Sequence, residues 1–157
     1  MARAEVLPLR AEDIAAIEPL VRQADRDEIT EALGIPMLQA LHDGLRNSAK
    51  ASRIVVDGKV VAVFGDAIYS LLGGVGIPWL ISTTHVERYP RAFLAVCRPE
   101  VAEMLQRHAE LVNFVDVRNI VAIRWLRWLG FEFCEPEPYG PKGMMFHRFW
   151  MRRAPCA

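Results

Sequence analysis

The sequence predicts an α+β fold: a central twisted, mixed β-sheet of six to seven strands flanked by helices, in one domain over residues 1–157. Three observations carry that prediction. Two β-branched runs, 52–56 and 59–64, flank Asp57-Gly58, a pair suited to the positive φ angles of a two-residue hairpin turn. The apolar stretch 111–117, a helix-spaced run to Leu129 and the alternating Phe131-Glu-Phe133 give strand, helix and strand in close succession. The full order is strand, two or three helices, a three-strand meander, helix, strand, helix, strand, strand, which is a sheet covered by helices.

Taken in order, residues 3–9 make a first strand, ended by Pro8 and the polar restart at Arg10. Ala11-Glu-Asp13 opens an amphipathic helix with Ile14, Ile17, Leu20 and Val21 at a 3.6-residue period, which Pro19 should kink or split. The charge run 22–28 leads through residues 29–33 to a stop at Gly34, and Pro36 starts another helix with Met37, Leu38, Leu41 and Leu45 on one side. After the hairpin, Gly73-Gly74 makes a second turn and 76–82 a further strand. Residues 88–108 read as a long helix with Phe93, Leu94, Val101, Met104 and Leu105 facing inward. Pro90 is tolerated near its start, and Pro99 is expected to interrupt it. Asn119 N-caps the next helix, and Gly130 closes it as the left-handed residue beyond the C-terminus. A flexible loop, 138–143, precedes the last strand, 144–151.

Composition narrows the function classes. Hydrophobic residues make up 52% of the chain, which is long enough to bury a core without staples. Nineteen basic residues balance nineteen acidic ones, whereas a dedicated nucleic-acid or membrane-surface binder normally carries a basic footprint. No stretch is long enough to span a bilayer, and the first five residues hold no apolar signal-peptide core. Cys97, Cys134 and Cys156 lack CxxC spacing, and His42, His108 and His147 lack ligand spacing. Neither a disulfide framework nor a metal site is predicted, and a reduced, intracellular setting is expected.

The run from Asn119 through Ala122 to Gly130-Phe131, set between two strands, resembles the last third of GNAT N-acetyltransferases, and the element order extends the likeness over nearly the whole chain. The residues fix no cofactor by themselves; the resemblance implies acetyl-CoA or CoA. It also implies a cleft between strands 76–82 and 111–117, where the backbone of Leu80, Ile81 and Ser82 hydrogen-bonds the pantetheine amides and Asn119 lies beside that arm. In the family, a glycine-rich loop cradles the pyrophosphate at a helix N-terminus. The corresponding residues here, 82–91, contain no glycine, which leaves Thr83, Thr84, Arg88 and Arg91 as side-chain contacts. The family tyrosine that protonates the departing thiolate falls on Leu126, which has no proton to give. Asp66 and His85 are candidate general bases near the central strands, and Glu28 lies in the segment where the family places substrate-facing loops. Each also has a plain reading as a solvated loop or helix-end residue, as Trp125 and Trp128 have one as core.

Several segments resemble a narrower group: Arg22-x-x-Asp25-Arg26-x-Glu28, Ala62-Val-Phe-Gly65, Pro78-Trp79-Leu80, Asn113-x-Val115-Asp116-x-x-Asn119, Arg124-Trp125-Leu126-x-Trp128, and Tyr139-Gly140 to Phe146. They are similar to a tailed-bacteriophage family related to the small internal virion protein A of short-tailed coliphages. That resemblance implies a phage gene product in the host cytoplasm, packaged in the virion, or both, with a virion or host protein as partner. Three readings follow: a GNAT scaffold that has lost acetyl-CoA chemistry and binds a protein, an acyltransferase gripping its cofactor with Arg88 and Arg91, and a small-molecule binder using the cleft.

Overall fold

The computed structural model describes residues 2–155. Its strands are β1 (Ala4–Pro8), β2 (Ser48–Val56), β3 (Lys59–Ser70), β4 (Val75–Ser82), β5 (Glu110–Asp116), β6 (Glu132–Phe133), β7 (Glu137–Tyr139) and β8 (Met144–Arg152). The helices are α1 (Ala11–Ile17), α2 (Gln23–Leu33), α3 (Met37–Asn47), α4 (Pro90–Arg107) and α5 (Ile120–Leu129). One sheet runs in the order β1-β2-β3-β4-β5-β8-β6, with β7 also on β8. Every pairing is antiparallel except β4 with β5.

Local chemistry explains the joints. Asp57 and Gly58 have φ of 50° and 74°, the two positive values that a β2–β3 turn of matching twist needs. Pro19 ends α1 and sets a single 3-10 turn, Glu18–Leu20. Asn119 Oδ1 accepts the Ala122 N–H at 3.1 Å, capping α5, and Gly130 closes it at φ 107°.

Alternation along the strands sorts the core onto the two faces of the sheet. Ile54, Ala62 and Phe64 pack toward α4 and α5 with Phe93, Cys97, Met104, Ile123 and Leu126. Val63 and Ile81 pack toward α1 and α3 with Ile14, Ile17, Met37 and Leu41. Helix α2 has no buried residue.

The structure corrects four expectations. The sheet has eight strands; the extra one is β7, inside the segment read as a flexible loop. It is fixed by Tyr139, whose ring stacks on Phe114 with centroids 3.9 Å apart. Helix α4 runs unbroken through Pro99. The proline ring is exposed, as is Ala95 one turn earlier, so the freed carbonyl has solvent beside it. Trp128 is 40% exposed and carries the Arg98 guanidinium 4.0 Å above its ring, so it is not core. Asp66 is neither at a strand end nor solvated: it lies within β3 and is fully buried. Cys156 falls outside the described residues.

Candidate functional site

The two parallel strands touch only at their beginnings, where Val75 and Gly76 pair with Glu110 and Leu111, and then part. Pro78 marks the parting. A proline in a central strand normally forfeits a ladder bond, but here its nitrogen faces the gap. Asn113 spans the two strands at this point: Nδ2 donates to the Pro78 carbonyl at 2.7 Å and Oδ1 accepts the Phe114 N–H at 2.8 Å.

Backbone alternation then decides which groups of β4 face the gap. Thr83 N–H donates to Val61 of β3, so odd-numbered residues turn toward β3 and even-numbered ones toward the gap. Of the three residues expected to hold a pantetheine arm, Ile81 is spent on β3. Ser82 faces the gap but is taken on both sides: its N–H donates to Asp25 Oδ2 at 2.6 Å, and its carbonyl accepts the Arg22 N–H at 3.0 Å. Leu80 keeps its N–H and C=O directed into the gap, where β5 does not pair with it.

Helix α2 lies across the far end of the gap. Asp25 reaches β4, and Glu28 reaches β5: its Oε1 accepts the Asp116 N–H at 3.0 Å, and its Oε2 accepts Asn119 Nδ2 at 2.8 Å. Desolvation raises both carboxyls above their ordinary range, against the lowering effect of these hydrogen bonds. Asp116 behaves oppositely: hydrogen bonds from Arg118 pull it down to about 2. Arg118 also pairs with Glu31 of α2. The β7–β8 turn closes on the same helix end; a Cβ at Gly140, φ 81°, would sit 2.4 Å from the Glu31 carbonyl oxygen.

Around this gap lies a cavity of about 710 Å³, within the range of small-molecule sites. Arg22, Asp25, Glu28, Trp79, Leu80 and Ser82 line it with Asn113, Asn119 and Tyr139, so segments far apart in sequence meet in one place. Tyr139, which sequence reasoning missed, belongs to this wall, and burial raises its hydroxyl above the usual phenol value.

The other predicted residues fall elsewhere. Asp66 accepts a two-pronged guanidinium contact from Arg107, at 2.8 and 2.9 Å, and a third contact from His108 Nε2 at 2.8 Å. Gly76 makes room for that imidazole, since a Cβ there would lie 2.5 Å from the ring. Asp66 is therefore an internal anchor and no part of the cavity wall. His85 sits half-buried in the 3-10 turn Thr84–Arg88, its N–H donating to Thr83 Oγ1 at 3.2 Å, away from the cavity. Arg88 and Arg91 are exposed on either side of Pro90, at the start of α4, whose N-terminus has no side-chain cap. Cys97 is buried, and burial pushes its thiol up to about 11, which makes it a poor nucleophile. Among the described residues no helix is long and apolar enough to cross a membrane.

No protein-family model matches the chain, and no curated protein matches its sequence. Solved structures do match its fold. The ribosomal-protein-S18-alanine N-acetyltransferase of Escherichia coli superposes with a TM-score of 0.71 at 14% identity, covering 98% of this chain and 96% of that one. The spermidine N-acetyltransferase of Vibrio cholerae, in complex with CoA and spermine, gives 0.71 at 12% identity, covering 96% and 95%. A GNAT-family acetyltransferase of Streptococcus pneumoniae gives 0.68 at 13%, covering 97% and 100%. The chain thus has the GNAT acetyltransferase fold.

Proposed function

We propose that the protein is a CoA-dependent N-acyltransferase that moves an acyl group from a thioester to an amine held in the β4–β5 gap. The observation that carries this reading is the unpaired main chain of Leu80, donor and acceptor together, facing a cavity at the parting of the two strands. The residues present fit the cofactor. Leu80 suits a pantetheine amide, and Arg88, Arg91 and the uncapped N-terminus of α4 suit a diphosphate. Bound there, the thioester supplies an activated acyl group.

The chain's own residues do the rest. Glu28, whose hydrogen bonds come from neutral amides and leave lone pairs free, accepts the proton lost by the amine. The Tyr139 hydroxyl, kept protonated by its burial, supplies a proton in the same cavity. Calorimetric titration with acetyl-CoA and with CoA at moderate salt tests the reading. The expected result is saturable binding at one site per chain, with Kd near roughly 1 μM. Absence of heat at millimolar ligand would reject it.

One contact favours a second reading. Asp25 occupies the Ser82 amide that the fold would offer to the pantetheine arm, and Leu126 stands where the family places its proton donor. Under this reading the protein is a GNAT scaffold without cofactor chemistry, a phage gene product of the host cytoplasm or the virion that binds a virion or host protein. The resemblance of the Asp25–Glu28, Pro78–Leu80 and Asn113–Asn119 segments to the internal virion protein A family supports that setting.

A further inference from the structure

The cavity does not stop at the gap. On the α4 and α5 side it reaches Ile54, Phe64, Cys97, Met104, Leu126 and Phe149, each of them 6% exposed or less. These are core residues, and a protein core is ordinarily packed to the density of an organic crystal. Space bounded by such side chains weakens the fold unless something fills it.

Two polar atoms point to a ligand. Trp125 and Glu100 line the same cavity, and Trp125 Nε1 and Glu100 Oε2 are buried without a hydrogen-bond partner. A sealed core has no reason to bury a donor and an acceptor unpaired. An apolar body with a polar substituent satisfies both conditions.

We infer that this inner chamber, between α4, α5 and the sheet, receives the acyl chain of the donor, and that the chain is of medium length, about six to ten carbons, rather than acetyl. The inference rests on the acyltransferase reading above and names the donor class for that site. Leu80 connects the two parts: its main chain faces the gap while its side chain packs on the α4–α5 core. The thioester end therefore lies at the parting strands and the chain runs inward, past Cys97 and Leu126.

Binding, not turnover, tests this. CoA, acetyl-CoA, octanoyl-CoA and free octanoate are titrated into the intact protein, followed by heat and by tryptophan emission, with Trp125→Phe identifying the chamber's share of the emission. Burial of each methylene strengthens binding about fourfold, so octanoyl-CoA is expected to bind at least about thirtyfold more tightly than acetyl-CoA. Octanoate alone is expected to bind and to shift the Trp125 emission. Filling the chamber with Val101→Phe, or separately Ala122→Phe, should abolish the chain-length preference while acetyl-CoA still binds and the unfolding midpoint stays close to that of the parent.

Equal affinity for all three thioesters overturns the chamber and leaves the acyltransferase reading in place. Binding of octanoate with no thioester bound overturns the acyltransferase reading and keeps an apolar-acid chamber. An unchanged Trp125 emission, or no binding of octanoate and octanoyl-CoA, overturns the inference.

Discussion

Asp66 and Glu28 are both carboxylates drawn away from water beside the central strands, but their partners differ in kind. Asp66 faces a guanidinium fork and an imidazole, so its charge is matched. Glu28 faces a backbone N–H and a side-chain amide, both neutral, with Asp25 and Asp116 as like-charged neighbours. A matched carboxylate is committed to holding the fold; one held by neutral donors keeps a costly charge and takes up a proton readily. Burial alone would have ranked Asp66 first as a catalytic group. Partner chemistry reverses that order.

The sharpest way to break the comparison is to remove the matched acid. Asp66→Ala leaves the Arg107 guanidinium without its partner at a buried site, and removing one member of such a pair costs about 3 kcal/mol. Urea unfolding should show a lower midpoint at unchanged slope. A loss below about 1 kcal/mol would mean that Asp66 is not an anchor.

Glu28→Gln is the converse experiment. Stability should change by no more than about 1 kcal/mol, because the side chain can still accept one of its two hydrogen bonds. Acyl transfer should fall on the order of a hundredfold, the usual scale of losing a general base. A comparable loss in Asp66→Ala, assayed where that variant is folded, would erase the distinction.

Asn119→Ala separates cap from site. It removes the Oδ1 cap on Ala122 and the Nδ2 contact to Glu28. The cap is worth about 1 kcal/mol, and Asn119→Asp, which keeps the acceptor, should recover that stability. Asp cannot donate to Glu28, so it should not recover binding of the amine. Recovery of both would leave Asn119 a cap and nothing more.

Much of this was legible in the sequence because it depends on near neighbours. The Asp57-Gly58 turn, the Asn119 cap, the Gly130 stop and the Pro19 break are local backbone chemistry, and local chemistry can be read along a chain. Pro78 was legible in retrospect: a proline inside an apolar strand signals a strand whose N–H side has no neighbour. What stayed hidden was the partner of each acid. Asp66 and Arg107 are 41 residues apart, and Glu28 and Asn119 are 91 apart, so no local pattern links them. The charge run of α2 looked like a solvated helix end. Its alternation was real: Asp27 is exposed while Asp25 and Glu28 turn inward. The side that would face the gap was set by a strand separation the sequence only implied. Tyr139 was lost for the same reason, inside a segment whose order comes from stacking on a distant strand.

The smallest effect tests the comparison most finely, because it predicts a sign. Asp116 is held below its ordinary pKa by Arg118, so in the parent it contributes stability that is present above its unfolded value, 3.8, and fades as pH falls toward about 2. Glu28 is held above its ordinary 4.5 by desolvation. Below 4.5 it is protonated in folded and unfolded chains alike and costs nothing. As pH rises through its elevated folded value, the folded chain must bury a charge that the unfolded chain leaves in water, and stability is lost. Unfolding free energies of Asp116→Asn and Glu28→Gln, each measured against the parent from pH 3 to pH 8, should therefore change in opposite directions as pH rises. The Asp116 variant should fall further below the parent and level off near neutrality. The Glu28 variant should gain on the parent above pH 4.5, whatever constant offset its altered hydrogen bonds introduce. If both differences have the same sign of slope, Glu28 is matched by a cation as Asp66 is, and its assignment as the proton acceptor fails.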